Sequence, residues 1–194
     1  MIMNEDTTPY LKHEFSLLVQ RASTGDVEAQ RLLGDFYLFH SEPQDIAAAV
    51  FWYVMAAERD DVESVYSLAG IYIDKQSAYC NPVKVLDYLK KGAALDDVRA
   101  MKMLGELYKT GYQSKYGDIQ EDSDAAFVYF RMAAKFGDHD SQLEVAEAYR
   151  KGLGITQSAE LADYWENEAK QTFIRQSILK FWSDSDSEKG ENPH

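Results

Sequence analysis

The chain has 194 residues, 45% of them hydrophobic, enough apolar material for one ordinary domain or about four small repeats, which rules out disorder throughout. Thirty-three acidic against 20 basic residues give a formal charge of −13, so phosphate backbones and anionic lipid are poor partners; no nucleic acid and no membrane are expected, and a protein with a basic surface is the better electrostatic match. The single cysteine, Cys80, cannot close an internal disulfide, which fits a reducing, cytoplasmic compartment.

Residues 1–20 carry Glu5, Asp6, Lys12, His13 and Glu14 and lack the continuous apolar stretch and small-residue cleavage site of a secretory signal. No run of about 18 apolar residues occurs anywhere, so no membrane-spanning helix is predicted. A helix over about 9–23 leads into Gly25-Asp26-Val27, and the segment 1–25 is expected to cap the helices after it. From there the chain repeats itself. Ala29-x3-Leu33-Gly34-x2-Tyr37 recurs as Ser64-x3-Leu68-Ala69-x2-Tyr72, Ala100-x3-Leu104-Gly105-x2-Tyr108 and Ser141-x3-Val145-Ala146-x2-Tyr149. Each is followed by a second element, read as Trp52-Tyr53-x2-Ala56-Ala57, Leu89-Lys90-x2-Ala93-Ala94, Tyr129-Phe130-x2-Ala133-Ala134 and Tyr164-Trp165-x2-Glu168-Ala169. The tyrosine-to-tyrosine period of roughly 35 to 41 residues marks an array of stacked supersecondary units.

Within each copy the apolar and small residues fall at i, i+3, i+4 and i+7, which predicts two helices, A and B. Gly34 and Gly105 sit mid-helix, where glycine costs about 1 kcal/mol against alanine, so close approach of a neighbouring helix is the expected compensation. The B-to-A turns contain Asp60-Asp61, Asp96-Asp97 and Gly137-Asp138, and their recurrence at turns reads as helix capping, not as acid/base pairs. The A-to-B links vary: His40-Ser41-Glu42-Pro43 is short, while 110–124 is a long insertion containing Tyr112 and Tyr116, and repeat arrays frequently place such insertions on a functional edge. The last B helix is expected to run to about Trp182, and 183–194, with no apolar residue, reads as a disordered acidic tail.

Taken together, the four copies resemble the Sel1-like repeats, relatives of the tetratricopeptide repeats, over about 26–169. The first and third copies meet the pattern A-x3-LG-x2-Y then A-x2-WY-x2-AA nearly in full; the second departs at Ala69, Leu86 and Leu89, the fourth at Ala146 and Glu168. The resemblance implies an all-α fold, a right-handed α-solenoid of about four helix hairpins over 26–182 with an N-terminal capping helix and a long C-terminal helix. It also implies A helices lining a concave face, an adaptor-like role in binding protein, and no cofactor or intrinsic chemistry. Carried onto this chain, the groove candidates are Arg31, Asp35, Tyr66, Arg99, Lys102, Glu106, Lys109, Glu147 and Arg150, with a basic step at the third copy. The same positions also read as solvated helix faces, Arg99 and Lys102 paired with nearby acids. A second candidate contact set is Tyr112 and Tyr116 in the insertion, together with the terminal stripe Phe173, Ile174, Ile178, Phe181 and Trp182, which alternatively caps the array.

Nucleophile elbows, phosphate-cradling glycine loops and dinucleotide fingerprints are missing at their required spacings. His13, His40, His139 and His194 are scattered without a second ligand at metal-binding spacing, so neither metal nor catalytic residue is expected. Some cysteine-rich members of the resembled family are linked to β-lactam binding or hydrolysis; those carry paired cysteines in every unit, whereas this chain has only Cys80, so the analogy does not extend to it. The expected role is therefore stoichiometric binding of a protein partner in a bacterial cytoplasm, in its finer form an immunity protein neutralising a secreted toxin or effector. A signalling or assembly adaptor is the alternative, an enzyme of unrecognised chemistry a more distant one, and the oligomeric state is open.

Overall fold

The computed structural model describes residues 8–187. Among these the chain is an all-α repeat fold. The A helices are α2 (Val27–Asp35), α4 (Val62–Ile73), α6 (Val98–Thr110) and α8 (His139–Lys151). They alternate with α1 (Thr8–Ser23), α3 (Ile46–Ala57), α5 (Pro82–Ala94), α7 (Ser123–Lys135) and α9 (Ala159–Ser187). A π-helical turn, Phe36–His40, prolongs α2. The insertion after α6 departs from the helical periodicity: it folds as a hairpin of β1 (Tyr112–Ser114) and β2 (Gly117–Ile119), with Tyr112 opposite Ile119. Residues 1–7 of the expected cap and 188–194 of the expected tail lie outside the described residues.

The chain packs as two compact units, Met1–Asp97 and Val98–His194. In the first, α1 packs on α2, α2 on α3, α3 on α4 and α4 on α5; in the second, α6 packs on α7, α7 on α8 and α8 on α9. Both units are built around the same contact, a mid-helix glycine under an aromatic ring. A Cβ on Gly34 would lie 2.5 Å from the ring of Tyr53, and one on Gly105 would lie 2.7 Å from the ring of Phe130. The close helix approach expected from the sequence is thus realised at both positions, and the rings fill space that any side chain would occupy. Tyr53 is fully buried, and its hydroxyl donates to Asp35 at 2.7 Å; burial, then this carboxylate, push the phenol well above its ordinary titration range.

The B-to-A turns share one geometry. Their first residue is left-handed, at Gly25 (φ 95°), Asp60 (63°), Asp96 (62°) and Gly137 (83°). The next residue caps the following helix: carboxylates of Asp26, Asp61 and Asp138 accept from the backbone N–H of Ala29, Ser64 and Ser141. Two buried glutamines add a latch at either end of the array, Gln30 donating to the Ala22 carbonyl at 3.0 Å and Gln142 to that of Ala134 at 3.2 Å. Each Asp of a turn pair therefore does a different job, one tolerating positive φ and one satisfying an orphan amide.

The same turn corrects the register of the second copy. Backbone N–H groups of Asp61, Asp97 and Asp138 donate to the carbonyls of Ala56, Gly92 and Ala133, so Gly92-Ala93, not Ala93-Ala94, occupies the small-residue pair. Tyr88-Leu89 then replaces Leu89-Lys90 at the large positions. Tyr88 stacks on Tyr72 with centroids 5.8 Å apart, as Tyr129 stacks on Tyr108 at 5.8 Å. The run Gly92-Ala93-Ala94 taken alone admits both alignments; the five-residue spacing from Gly92 to Asp97, equal to that from Ala56 to Asp61 and from Ala133 to Asp138, agrees with the turn hydrogen bond.

Two substitutions of opposite sign test the packing. Gly105→Ala should lower stability by about 1–3 kcal/mol, despite better helix propensity, because its Cβ meets Phe130. Gly70→Ala, with nothing within 4 Å, should raise it by about 0.5–1 kcal/mol. Urea unfolding of both variants checks this; stabilisation by Gly105→Ala would contradict the contact. Asp61→Ala should cost about 1 kcal/mol by loss of the cap, while Asp96→Gly, which relieves a left-handed residue, should cost nothing. Equal losses in thermal melts would show that the two turn positions are not distinct.

Candidate functional site

In the second unit the candidate cations of α6 reach the next A helix. Lys102 Nζ bonds the Asp140 carboxylate and lies 3.9 Å from Asp138, and Lys109 Nζ meets both oxygens of Glu144 at 2.7 and 2.6 Å. Hydrogen bonding to Lys102 holds the Asp140 carboxyl below the usual carboxylate range, and the same bond raises Lys102. Arg150 turns towards α9, where it contacts Asp163 at 3.2 Å and Glu166, while Glu147 pairs with Lys151. Arg99 is exposed at the start of α6, and Glu106 is exposed beside Lys102 in a shallow depression shared with Asp140 and Leu143. The basic step of the third copy is thus matched by carboxylates of the fourth.

Beside these pairs lies a cleft of about 330 Å³ between α6, α7 and α8. Its floor is Ala126, Phe127, Phe130 and Ala148, its lip Leu153, and its rim the pairs Lys109–Glu144 and Lys151–Glu147. Phe127 is held edge-on by Tyr149 at 5.3 Å, with the Arg131 guanidinium 5.5 Å from its ring centre. A fixed apolar floor inside a neutralised rim can take apolar side chains of a partner while polar groups satisfy its backbone. Of the groove candidates, Lys109 and Glu147 lie on this cleft, and Lys102 and Glu106 beside it.

The first unit holds a second cleft, of about 430 Å³, where Tyr66 meets Leu38, Phe39, Gly70 and Ile71. The π-helical turn presents Phe39 there, 69% exposed. Arg31 and Asp35 pair with each other at 3.0 Å, and Asp35 also accepts from Tyr53, so this carboxylate serves the packing of its own repeat. In the hairpin the two tyrosines separate: Tyr112 is 8% exposed on the inner side, whereas Tyr116 is half-exposed with Lys115 Nζ 4.8 Å from its ring centre. Phe181 and Trp182 are exposed near the end of α9, ring against ring edge at 5.9 Å.

Phe39, Phe127 and Leu153 do not stand out in the sequence. For Phe127 a signal exists, its i, i+3 spacing to Phe130; Phe39 and Leu153 follow helix ends whose geometry periodicity does not describe. Among the described residues no group of three His, Cys, Asp or Glu side chains could hold a metal ion, and no helix is long and apolar enough to cross a membrane.

The Lys102–Asp140 pair has a direct check. In Lys102→Met the Asp140 carboxyl should titrate higher, back towards the ordinary aspartate value, by carboxyl-carbon NMR; an unmoved titration would mean the pair does not form in solution.

Known proteins agree with this geometry. The Sel1 repeat matches residues 27–61, 98–138 and 139–165, more than half of the chain, and leaves the second copy unmatched. The chain is 33% identical over 113 residues to chitin synthase regulatory factor 2 of Schizosaccharomyces pombe, which covers 56% of this chain and 22% of that protein. A Sel1 repeat protein from Oxalobacter formigenes superposes with TM-score 0.67 at 26% identity, covering 81% of this chain and 63% of the other. The protective antigen c5321 of uropathogenic Escherichia coli superposes with TM-score 0.66 at 27% identity, covering 81% and 33%. The chain spans only part of each relative's length. On the matched repeats, the turn geometry and the glycine–ring contacts, this chain belongs to the Sel1 repeat family, a fold of protein-interaction repeats.

Proposed function

We propose that the chain binds a protein partner stoichiometrically and seats an apolar segment of it in the cleft between α6, α7 and α8. The observation that carries this reading is the cleft itself, in which Phe127 and Phe130 form a rigid apolar floor while each lysine of the rim already has a carboxylate. Because the rim is neutralised, affinity is expected to come from shape and apolar burial, and the chain's net charge of −13 to act on the encounter rate with a basic partner.

That charge supports neutralisation of a basic toxin or effector as the finer role, in a cytoplasmic setting that a single buried Cys80 suits. A regulatory adaptor is the second reading, supported by the 33% identity to a protein named as a regulator of chitin synthase. Stoichiometry separates them: one tight partner at 1:1 favours neutralisation, several weaker ones favour an adaptor.

A partner recovered by affinity capture from the native host supplies the probe. Leu153→Asp, which places a charge on the exposed lip without touching the buried floor, should weaken its binding at least tenfold with helicity unchanged, because an apolar segment entering the cleft would then bury a carboxylate without a partner. Unchanged affinity would exclude the cleft as the contact. For a basic partner the association rate should also fall as salt is added, and a salt-independent rate would remove the electrostatic part of the proposal.

A further inference from the structure

The cleft between α6, α7 and α8 continues past its rim. Beside it, within the same unit, lies a second depression of about 360 Å³, and Phe130 and Glu144 line both. The second is otherwise lined by Lys102 and Glu106 of α6 and by Asp140 and Leu143 of α8, so the two form one groove along this pair of A helices. On α8 its lining residues are centred about five positions before those of the cleft, which at 1.5 Å per residue sets the two subsites roughly 7–8 Å apart.

Charge differs between the two ends. In the cleft each lysine has a carboxylate of its own, Lys109 with Glu144 and Lys151 with Glu147. In the second depression one ammonium, that of Lys102, bonds Asp140 and lies 3.9 Å from Asp138, while Glu106 acts on it only through space. Glu106 is exposed and, among the described residues, its carboxylate takes part in no hydrogen bond or ion pair. Three carboxylates around one cation leave this end negative, next to the apolar side chain of Leu143, which is 43% exposed. No three carboxylates among the described residues are placed to hold a metal ion, so the groove suits a cation carried on a side chain. Resting on the assignment of the cleft as the contact, we infer that the partner's segment carries an arginine beside the apolar side chain it seats there, its guanidinium on Glu106 and its methylene stem over Leu143. Arginine fits this end better than lysine, because a carboxylate can accept its planar fork at two points, its head is less strongly hydrated and its stem covers apolar surface. In an extended segment, side chains two residues apart on one face are separated by about 7 Å, so Leu-x-Arg spans the two subsites.

The probe is the blocked peptide acetyl-Ala-Leu-Ala-Arg-Ala-amide, compared with the same peptide carrying Gln or Glu in place of Arg. Titrations followed by backbone-amide NMR at about 150 mM salt screen long-range attraction to the acidic chain. The Arg peptide should shift the signals of Glu106, Phe127 and Leu143 and bind at least about threefold more tightly than the Gln peptide, with the Glu peptide weakest. Glu106→Gln should erase the preference for Arg, and Glu106→Lys should turn it towards the Glu peptide; a reversed preference is a readout that misfolding cannot imitate. Glu28→Gln, the same charge change on the exposed surface of α2, should leave the preference intact. Leu153→Asp should weaken the Arg and Gln peptides alike. Peptides that bind without favouring Arg, or a preference that Glu106→Lys fails to reverse, overturn the arginine and leave the cleft standing. Peptides that shift none of these signals also overturn it, whereas the cleft itself falls only if a captured partner is indifferent to Leu153→Asp.

Discussion

Each unit depends on one steric relation, a helix residue small enough to let an aromatic ring of the following helix lie on its backbone. Gly34 beneath Tyr53 and Gly105 beneath Phe130 leave no room for even a methyl group, so the interhelix distance is set by the thickness of a ring. The penalty for glycine in mid-helix is offset by burial of the rings: Tyr53 is fully buried and Phe130 nearly so. Where the small residue is alanine, at Ala69 and Ala146, the large partner differs too, being Leu89 in the second copy and a half-buried Trp165 in the fourth. The size of the small residue and the identity of the large one vary together.

Much of this is legible in the chain because a repeat presents its pattern several times. Helix type, the positions of Gly34 and Gly105 and the capping role of the turn aspartates all follow from spacing. The second copy shows the limit. Three consecutive small residues, Gly92, Ala93 and Ala94, allow two registers when read alone; the spacing back from the Asp96-Asp97 turn selects Gly92-Ala93, and the backbone hydrogen bond from Asp97 to Gly92 fixes it. The hairpin after α6 is less legible: three-residue strands are too short to show alternation, so Tyr112 reads as a presented loop residue when it is buried opposite Ile119. Charges are the least legible part. Lys102 and Lys109 stand out along α6 as a basic step, yet their partners, Asp140 and Glu144, come from a helix more than 30 residues away.

Those pairs change what kind of recognition the second unit supports. Exposed ion pairs add little to stability, but they remove free charge from the rim of the cleft while leaving its aromatic floor available. Such a surface selects by shape and apolar fit, and the acidic remainder of the chain influences which partners approach quickly.

The ring-on-glycine relation is tested most directly by a double-mutant cycle on Gly105 and Phe130, with unfolding free energies measured for the parent, Gly105→Ala, Phe130→Leu and the pair. If a methyl group at 105 is harmful because it strikes the ring, its penalty should shrink by at least about 1 kcal/mol once the ring is replaced, giving a clear coupling between the two sites. Strict additivity, with the same penalty in both backgrounds, would show that the glycine serves something other than the ring and would contradict the account.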